Sequence, residues 1–296
     1  MIDLGILFEE FYLFIALAVL GDIVVERSGV LNLGIDGFIV FAIALTYTCT
    51  VVFNPIVALA ITLASAIVYA ILISLLINVM HLSHILSGLV LNMIFYGLSV
   101  VVGNIGLSLA PIYLRRRTLV APITLNWGVI LLISIAVSIA IWLFLYRSRI
   151  GVAIRACGFN PKAADHLGVK MWRTRFIALA LGYIVIAFSG YVYTLLYKKS
   201  WSSYIGMGYG FLTLALAMAS LWHPLIALIP VTIFSYLERS LYIYQLEYGI
   251  PQQILSMIPY IASIAFVTFV SALPISKRLA IPKALGEIYF KEERAA

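Results

Sequence analysis

Residues 147–175 read RSRIGVAIRACGFNPKAADHLGVKMWRTR, the one long polar island in a chain otherwise made of apolar runs. Five arginines and two lysines there face a single acid, Asp165. On either side the charges stop: 37–114, 118–146, 176–197, 200–237 and 248–276 contain no Asp, Glu, Lys or Arg. A charge at the centre of a bilayer-spanning helix costs about 2.5–3.5 kcal/mol, so these stretches mark lipid-embedded chain and the island marks water. Composition agrees, because 64% apolar and 10% charged residues with a mean hydropathy of +1.11 exclude a soluble domain. The net charge of +7 is the loop excess of the positive-inside rule rather than a nucleic-acid footprint.

Working outward, spans are predicted near 8–25, 31–53, 55–78, 83–105, 125–146, 175–197, 206–222, 223–243 and 253–273. Each is long enough to cross a hydrocarbon core of roughly 30 Å. The expected fold is all-α: one polytopic transmembrane domain, 1–296, of about nine helices in the cell membrane. Asn54-Pro55 and His223-Pro224 divide continuous apolar sequence and read as tight hairpins. The start, MIDLGILFEEFYLF, lacks a basic leader region and reads as a permanent first span. With the island cytoplasmic, the tail 274–296, carrying Lys277, Arg278, Lys283, Lys291 and Arg294, is also inside. Arg115, Arg116 and Arg117 then fall outside, against the rule.

An internal comparison predicts a repeat. Gly37-Phe38 and Ala42, Ala44 line up with Gly210-Phe211 and Ala215, Ala217 at an offset of 173. Asn54-Pro55 with Ala58-Leu59 pairs with His223-Pro224 and Ala227-Leu228, and Ile85-Leu86-Ser87 with Ile254-Leu255-Ser256, both at 169. Two four-helix units, about 8–105 and 175–273, would then flank a connector helix, 125–146, and the loop 147–174. Five crossings separate matching helices, so the second unit is inverted, a transporter arrangement with solute handled at the midplane. A duplication kept for stability alone is the other reading.

The stretch 26–38, ERSGVLNLGIDGF, brings polar groups to the start of an apolar run. Glu26 and Arg27 are expected at the cytoplasmic surface. Asn32 and Asp36, with the repeat-related Tyr209, are candidates for the solute pathway; Asp36 could equally serve as an anion at a helix N-terminus. Asn92 is a buried amide that suits either solute contact or a helix–helix bond. His84 and His223 sit at helix starts and read as interfacial anchors. Cys49 and Cys157 offer no CxxC spacing, no disulfide framework and no metal site.

Several motifs together carry a resemblance: ERSGVLNLGIDG, LSGLVLN at 86–92, GVAIRACGFNPKAADHLGV in the island, GYGF at 208–211, WHPL at 222–225 and IPKALGEIY at 281–289. In this order they resemble the permease subunits of ATP-binding-cassette importers for branched-chain amino acids and simple sugars, nucleoside permeases above all. The resemblance implies a second identical or related permease, two cytoplasmic ATPases that bind ATP and Mg, and an extracellular binding protein, often a lipoprotein, that delivers the ligand. It also implies that Arg155, Asn160, Pro161, Ala163, Ala164 and Gly168 belong to the loop that docks into the ATPase. A short helix there, with Pro161 in its first turn and Gly168 as its stop, is physically reasonable. The chain departs from the family at Asp36, where Glu is usual, and at Ser83, His84, Ser220 and His223.

No cofactor and no catalytic residue is expected in this chain, since it has no GxxxxGK[ST] phosphate loop and no HExxH pair. The expected function is translocation of a nucleoside or simple sugar by alternating access, driven by the partner ATPases. An ion-coupled secondary transporter of a small polar solute is the alternative. It would need more intramembrane acids than Asp36 alone. An intramembrane enzyme built on Ser189-Gly190 and His223 has no motif behind it.

Overall fold

The computed structural model describes residues 7–110, 125–249, 251, 257–272 and 281–289, of which 241–248, 259 and 271 by backbone alone. Among the described residues there are eleven α-helices and no strand. They are α1 (Glu10–Glu26), α2 (Ile35–Val52), α3 (Pro55–Ser74), α4 (His84–Leu109), α5 (Trp127–Arg147), α6 (Arg149–Phe159), α7 (Pro161–His166), α8 (Met171–Val192), α9 (Tyr209–Ala219), α10 (Pro224–Tyr248) and α11 (Ile258–Ala272). Short π-helical segments, Leu75–Val79 and Tyr193–Lys198, extend α3 and α8. With those extensions, five helices (α2, α3, α4, α5 and α8) are long and apolar enough to cross a membrane. The chain is a multi-pass helical membrane protein. The triple arginine at 115–117, the repeat segment 254–256, and Lys277, Arg278, Lys291 and Arg294 lie outside the described residues.

α1 forms the centre. Every residue from Phe11 to Glu26 is buried, the pattern of a helix apolar all round and enclosed by others. α8 crosses it antiparallel where a Cβ on Gly21 would stand 2.6 Å from the Gly182 carbonyl oxygen, and one on Gly182 2.6 Å from that of Gly21. Small residues let the two backbones approach, which is how helices gain packing energy in lipid. α2 and α4 run parallel, touching through Gly34 and Gly88, Gly37 and Asn92, and Thr48 and Gly106. The outer helices turn apolar side chains outward: Met93 is 72% exposed, Leu132 68% and Ile264 66%. Those faces suit lipid.

Both proline hairpins form as their sequences predict. Asn54 caps α3 by accepting the Val57 N–H at 2.9 Å, with Pro55 in the first turn. α9 ends at Ala219 and α10 begins at Pro224. The stretch 206–222, however, carries only the 11-residue α9. Gly206 and Gly208 hold φ of +84° and +95° before it, and Leu221 and Trp222 hold φ of 53° after it, so left-handed residues cut the helix at both ends.

Candidate functional site

Polar groups gather where the N-termini of α2 and α9 meet. Asp36, in the first turn of α2, is fully buried. Its Oδ1 accepts the Gly208 N–H at 2.9 Å and the Gly210 N–H at 2.6 Å, and its Oδ2 also faces Gly208 N at 2.9 Å. The Tyr96 hydroxyl from α4 donates to Oδ2. The carboxylate therefore caps a helix 172 residues away, answering the free N–H groups and positive end that every helix N-terminus presents. Asn92 lies beside it, with its Oδ1 accepting the Gly37 N–H. Asp36, Asn92, Tyr96 and the Gly208–Gly210 backbone form one connected group.

Asn32 belongs to a second group. Its Nδ2 donates to Asp22 Oδ1 at 2.8 Å, and its Oδ1 accepts the Tyr183 hydroxyl. Tyr69 donates to the Gly34 carbonyl at 3.0 Å, and its ring lies 4.4 Å from that of Tyr183. Tyr209 joins a third group. Its hydroxyl donates to Glu238 at 3.2 Å, and its ring packs on Phe11, Phe14 and Tyr193. Of the four sequence candidates, Asp36 and Asn92 are thus brought together, while Asn32 and Tyr209 face different neighbours. Asp22, Tyr183 and Glu238 are additions that sequence reasoning missed. Asp22 was detectable as a carboxylate inside an apolar run, a costly placement that marks a functional group.

Glu26 and Arg27 are buried, at 0% and 2% exposure, and not at the surface. Glu26 Oε2 accepts the Trp222 indole N–H at 2.6 Å. Arg27 donates from Nε to the Trp222 carbonyl at 2.8 Å and from Nη2 to that of Leu221 at 3.4 Å. These bonds hold two consecutive left-handed non-glycine residues, a strained pair that persists only where surroundings enforce it. The ERSG and WHPL motifs are one device, locking the end of α1 to the α9–α10 turn. His84 is 1% exposed, and its Nδ1 accepts the Leu31 N–H at 3.2 Å, so its ring is enclosed by protein. At His223, burial and the Arg27 charge hold the imidazole pKa below its usual range.

The island folds as α6, α7 and the turn into α8. Asn160 caps α7 by accepting the Ala163 N–H at 3.0 Å, and Pro161 occupies the first turn. Gly168 stops it with φ +86°, its N–H donating to Asp165 O at 2.9 Å while Val169 N–H reaches Ala164 O at 3.0 Å. That pair of bonds is the Schellman stop. Pro161 and Ala164 turn inward, Ala164 against Cys157 and Met171, whereas Asn160, Ala163 and Gly168 are exposed. Leu167, at the tip, is 85% exposed. Arg155 points back instead, donating from Nε to Leu145 O at 3.0 Å with its guanidinium 4.4 Å from the Tyr146 ring centre. Cys157 is fully buried, and that burial pushes its thiol up to about 11.

The segment 281–289 clasps this region. Ala284 N–H donates to Gly158 O at 2.9 Å and Gly286 N–H to Gly29 O at 3.0 Å, tying α6 and the α1–α2 loop to one strap. Lys283 lies 4.7 Å from the Phe159 ring centre.

Residues 10–267 match the model of the family described as branched-chain amino acid transport system, permease component. Among curated relatives, the chain is 27% identical to the Haloferax volcanii permease protein TsgC13, whose name gives glucose, covering 93% of this chain and 94% of that one. It is 27% identical to the nucleoside ABC transporter permease protein NupC of Lactococcus lactis, over 93% and 92% of the two chains. It is 24% identical to the guanosine ABC transporter permease protein NupQ of Bacillus subtilis, over 94% and 93%. No solved structure matches.

Proposed function

The chain belongs to the branched-chain amino acid transport system permease family, and on that premise we propose that it is the membrane subunit of an ATP-binding-cassette importer for a nucleoside or simple sugar. The solute arrives on an extracellular binding protein and crosses by alternating access. ATP and Mg sit in two cytoplasmic ATPase subunits, and a second permease, identical or related, completes the pathway. The relatives named for nucleosides, guanosine and glucose favour a neutral, hydroxyl-rich solute.

The observation that carries this reading is α7. A capped and stopped six-residue helix, seated on α6 and α8 with an 85%-exposed leucine at its tip, is a rigid knob presented to a partner. Asn160, Pro161, Ala163, Ala164 and Gly168 build that knob, and Arg155 anchors its base. Movement of the knob would pass along α8 to its crossing with α1 and along the 281–289 strap to Gly29.

Helix packing supports the two inverted units, with α1–α4 matching α8–α11 around the connector α5. α1 and α8 cross antiparallel at Gly21 and Gly182. α8 packs on α2 and α3 as α1 packs on α9 and α10, and α2 meets α4 as α9 meets α11. The α2 and α9 N-termini then face each other at the centre, where transporters of inverted design handle solute. Asp36 and Asn92 hold that junction, and Tyr209 with Glu238 supplies an aromatic and an acceptor beside it; Asn32 supports it from behind.

The test is uptake of labelled guanosine, adenosine or glucose by vesicles holding the chain with its co-purifying subunits. Uptake should require ATP on the α7 side. Uptake driven by an ion gradient without ATP would select the secondary-transporter reading, for which Asp22 and Glu26 would be the intramembrane acids.

A further inference from the structure

A cleft of about 610 Å³ opens beside α7, between the π-helical extension of α3 and the first turns of α8. Asn78 lines it from the extension, Asp165 from α7, and Lys170, Arg173 and Arg175 from the start of α8. Three cationic side chains therefore share the wall with one carboxylate. Arg175 is decisive. It is 2% exposed, and neither its Nε nor its Nη2 has a hydrogen-bond acceptor among the described residues. Cys157, Glu287 and Tyr289 lie within electrostatic reach of it but leave those two donors open. Nη2 lies on the Gly29 side of the group, and a buried cation without acceptors is costly unless an anion stands against it.

We infer that this cleft binds a phosphate-bearing anion, with Arg175 at its base and Lys170 and Arg173 at its mouth. The guanidinium of Arg175 places a delocalised positive charge behind the cleft wall, which favours an anion in front of it. Lys170 and Arg173 are exposed and can close over the ligand. The 22-residue α8 starts at the cleft with no side-chain cap at Lys170, so its first N–H groups favour the same charge. Trp172, on the rim and 51% exposed, is the residue type that settles at headgroup depth. Basic clefts between spanning helices are where anionic lipid headgroups lodge. The shared chemistry is a phosphate ester or free phosphate, and the source is either an anionic phospholipid or soluble phosphate.

The full chain, extracted with its partners, would be placed in nanodiscs of phosphatidylcholine alone, of phosphatidylcholine with phosphatidylglycerol, and of phosphatidylcholine with added inorganic phosphate. Thermal midpoint and retained lipid by native mass spectrometry are the readouts. Stabilisation and retention specific to phosphatidylglycerol assign a lipid; equal stabilisation by inorganic phosphate assigns a soluble anion, and both support the site. Lys170→Gln and Arg173→Gln, on exposed positions that leave the fold intact, should each weaken the response roughly fivefold. Arg175→Gln should abolish it. Indifference to phosphatidylglycerol and phosphate alike, or a response unchanged in the Lys170→Gln/Arg173→Gln double variant, would overturn the inference. So would Arg175→Gln releasing the ATPase while lipid retention stays unchanged, because the cleft would then be a protein interface.

Discussion

The carboxylate of Asp36 accepts the backbone N–H of Gly210 at 2.6 Å, across 174 residues of sequence. One side chain at the head of α2 thereby fixes where α9 begins, and the two helices become one mechanical junction. The same carboxylate takes Gly208 N–H and the Tyr96 hydroxyl, so its lone pairs are already engaged by protein.

Asp36→Ala should therefore lower thermal stability by about 1–2 kcal/mol, the range for a lost helix cap, and reduce uptake. Asp36→Glu, which keeps a carboxylate, should retain more of both than Asp36→Asn. Thermal unfolding in detergent alongside an uptake assay reads this out. An Asp36→Ala chain as stable as the parent would mean that the cap contributes nothing.

Leu167→Asp should detach the ATPase without changing the thermal midpoint, because an 85%-exposed side chain makes few contacts within the chain. Ala164→Asp, at 2% exposure beside Cys157 and Met171, should instead unfold the island. A Cβ at Gly168 meets nothing within 4 Å, but Gly168→Arg must adopt φ +86°, which costs about 1–2 kcal/mol. It should leave the chain in the membrane and stop uptake. Co-purification and melting curves distinguish the three variants.

Trp222→Phe removes the indole donor at 2.6 Å from Glu26 and leaves a buried acceptor without its partner, for a loss of about 1–3 kcal/mol. In a double-mutant cycle with Glu26→Leu, which removes the acceptor, the two changes should be non-additive. Strict additivity of the melting free energies would show that the bond carries no coupling.

Much of the fold was legible in the sequence. Runs without charge marked apolar helices, and Asn54-Pro55, Asn160-Pro161 and Gly168 marked caps and stops through local chemistry. What could not be read was pairing at a distance. Glu26-Arg27 looks like a surface pair because local charge density cannot reveal Trp222, a partner 196 residues later. Arg155 sits within a basic island and so reads as solvent-facing, yet the Leu145 carbonyl and the Tyr146 ring hold it inward. Asn32 and Asp36 lie one helical turn apart in sequence but serve separate hydrogen-bonded groups.

His223 gives a pH dependence with a definite sign. Its folded pKa is depressed from 6.5 by burial and by Arg27, so the unfolded chain takes up the proton first. Stability should hold above about pH 6.5 and decline as pH falls through that value. Melting curves across pH should show this slope reduced in His223→Asn. An identical slope in the variant would assign the dependence to other groups.

Topology needs an introduced thiol, because Cys157 is fully buried with its thiol pushed up to about 11 and should resist labelling near neutral pH. Expressed without its partner subunits, the Leu167→Cys chain should react with an impermeant maleimide only after cells are permeabilised. Labelling in sealed cells would place α7 outside.

The most direct measurement is a mild-detergent purification of the chain from its native membrane, with identification of what accompanies it. The expected result is an ATPase carrying the Walker phosphate loop together with a permease, with the ATPase lost in Leu167→Asp. A chain that purifies alone and moves solute in vesicles without ATP would contradict it.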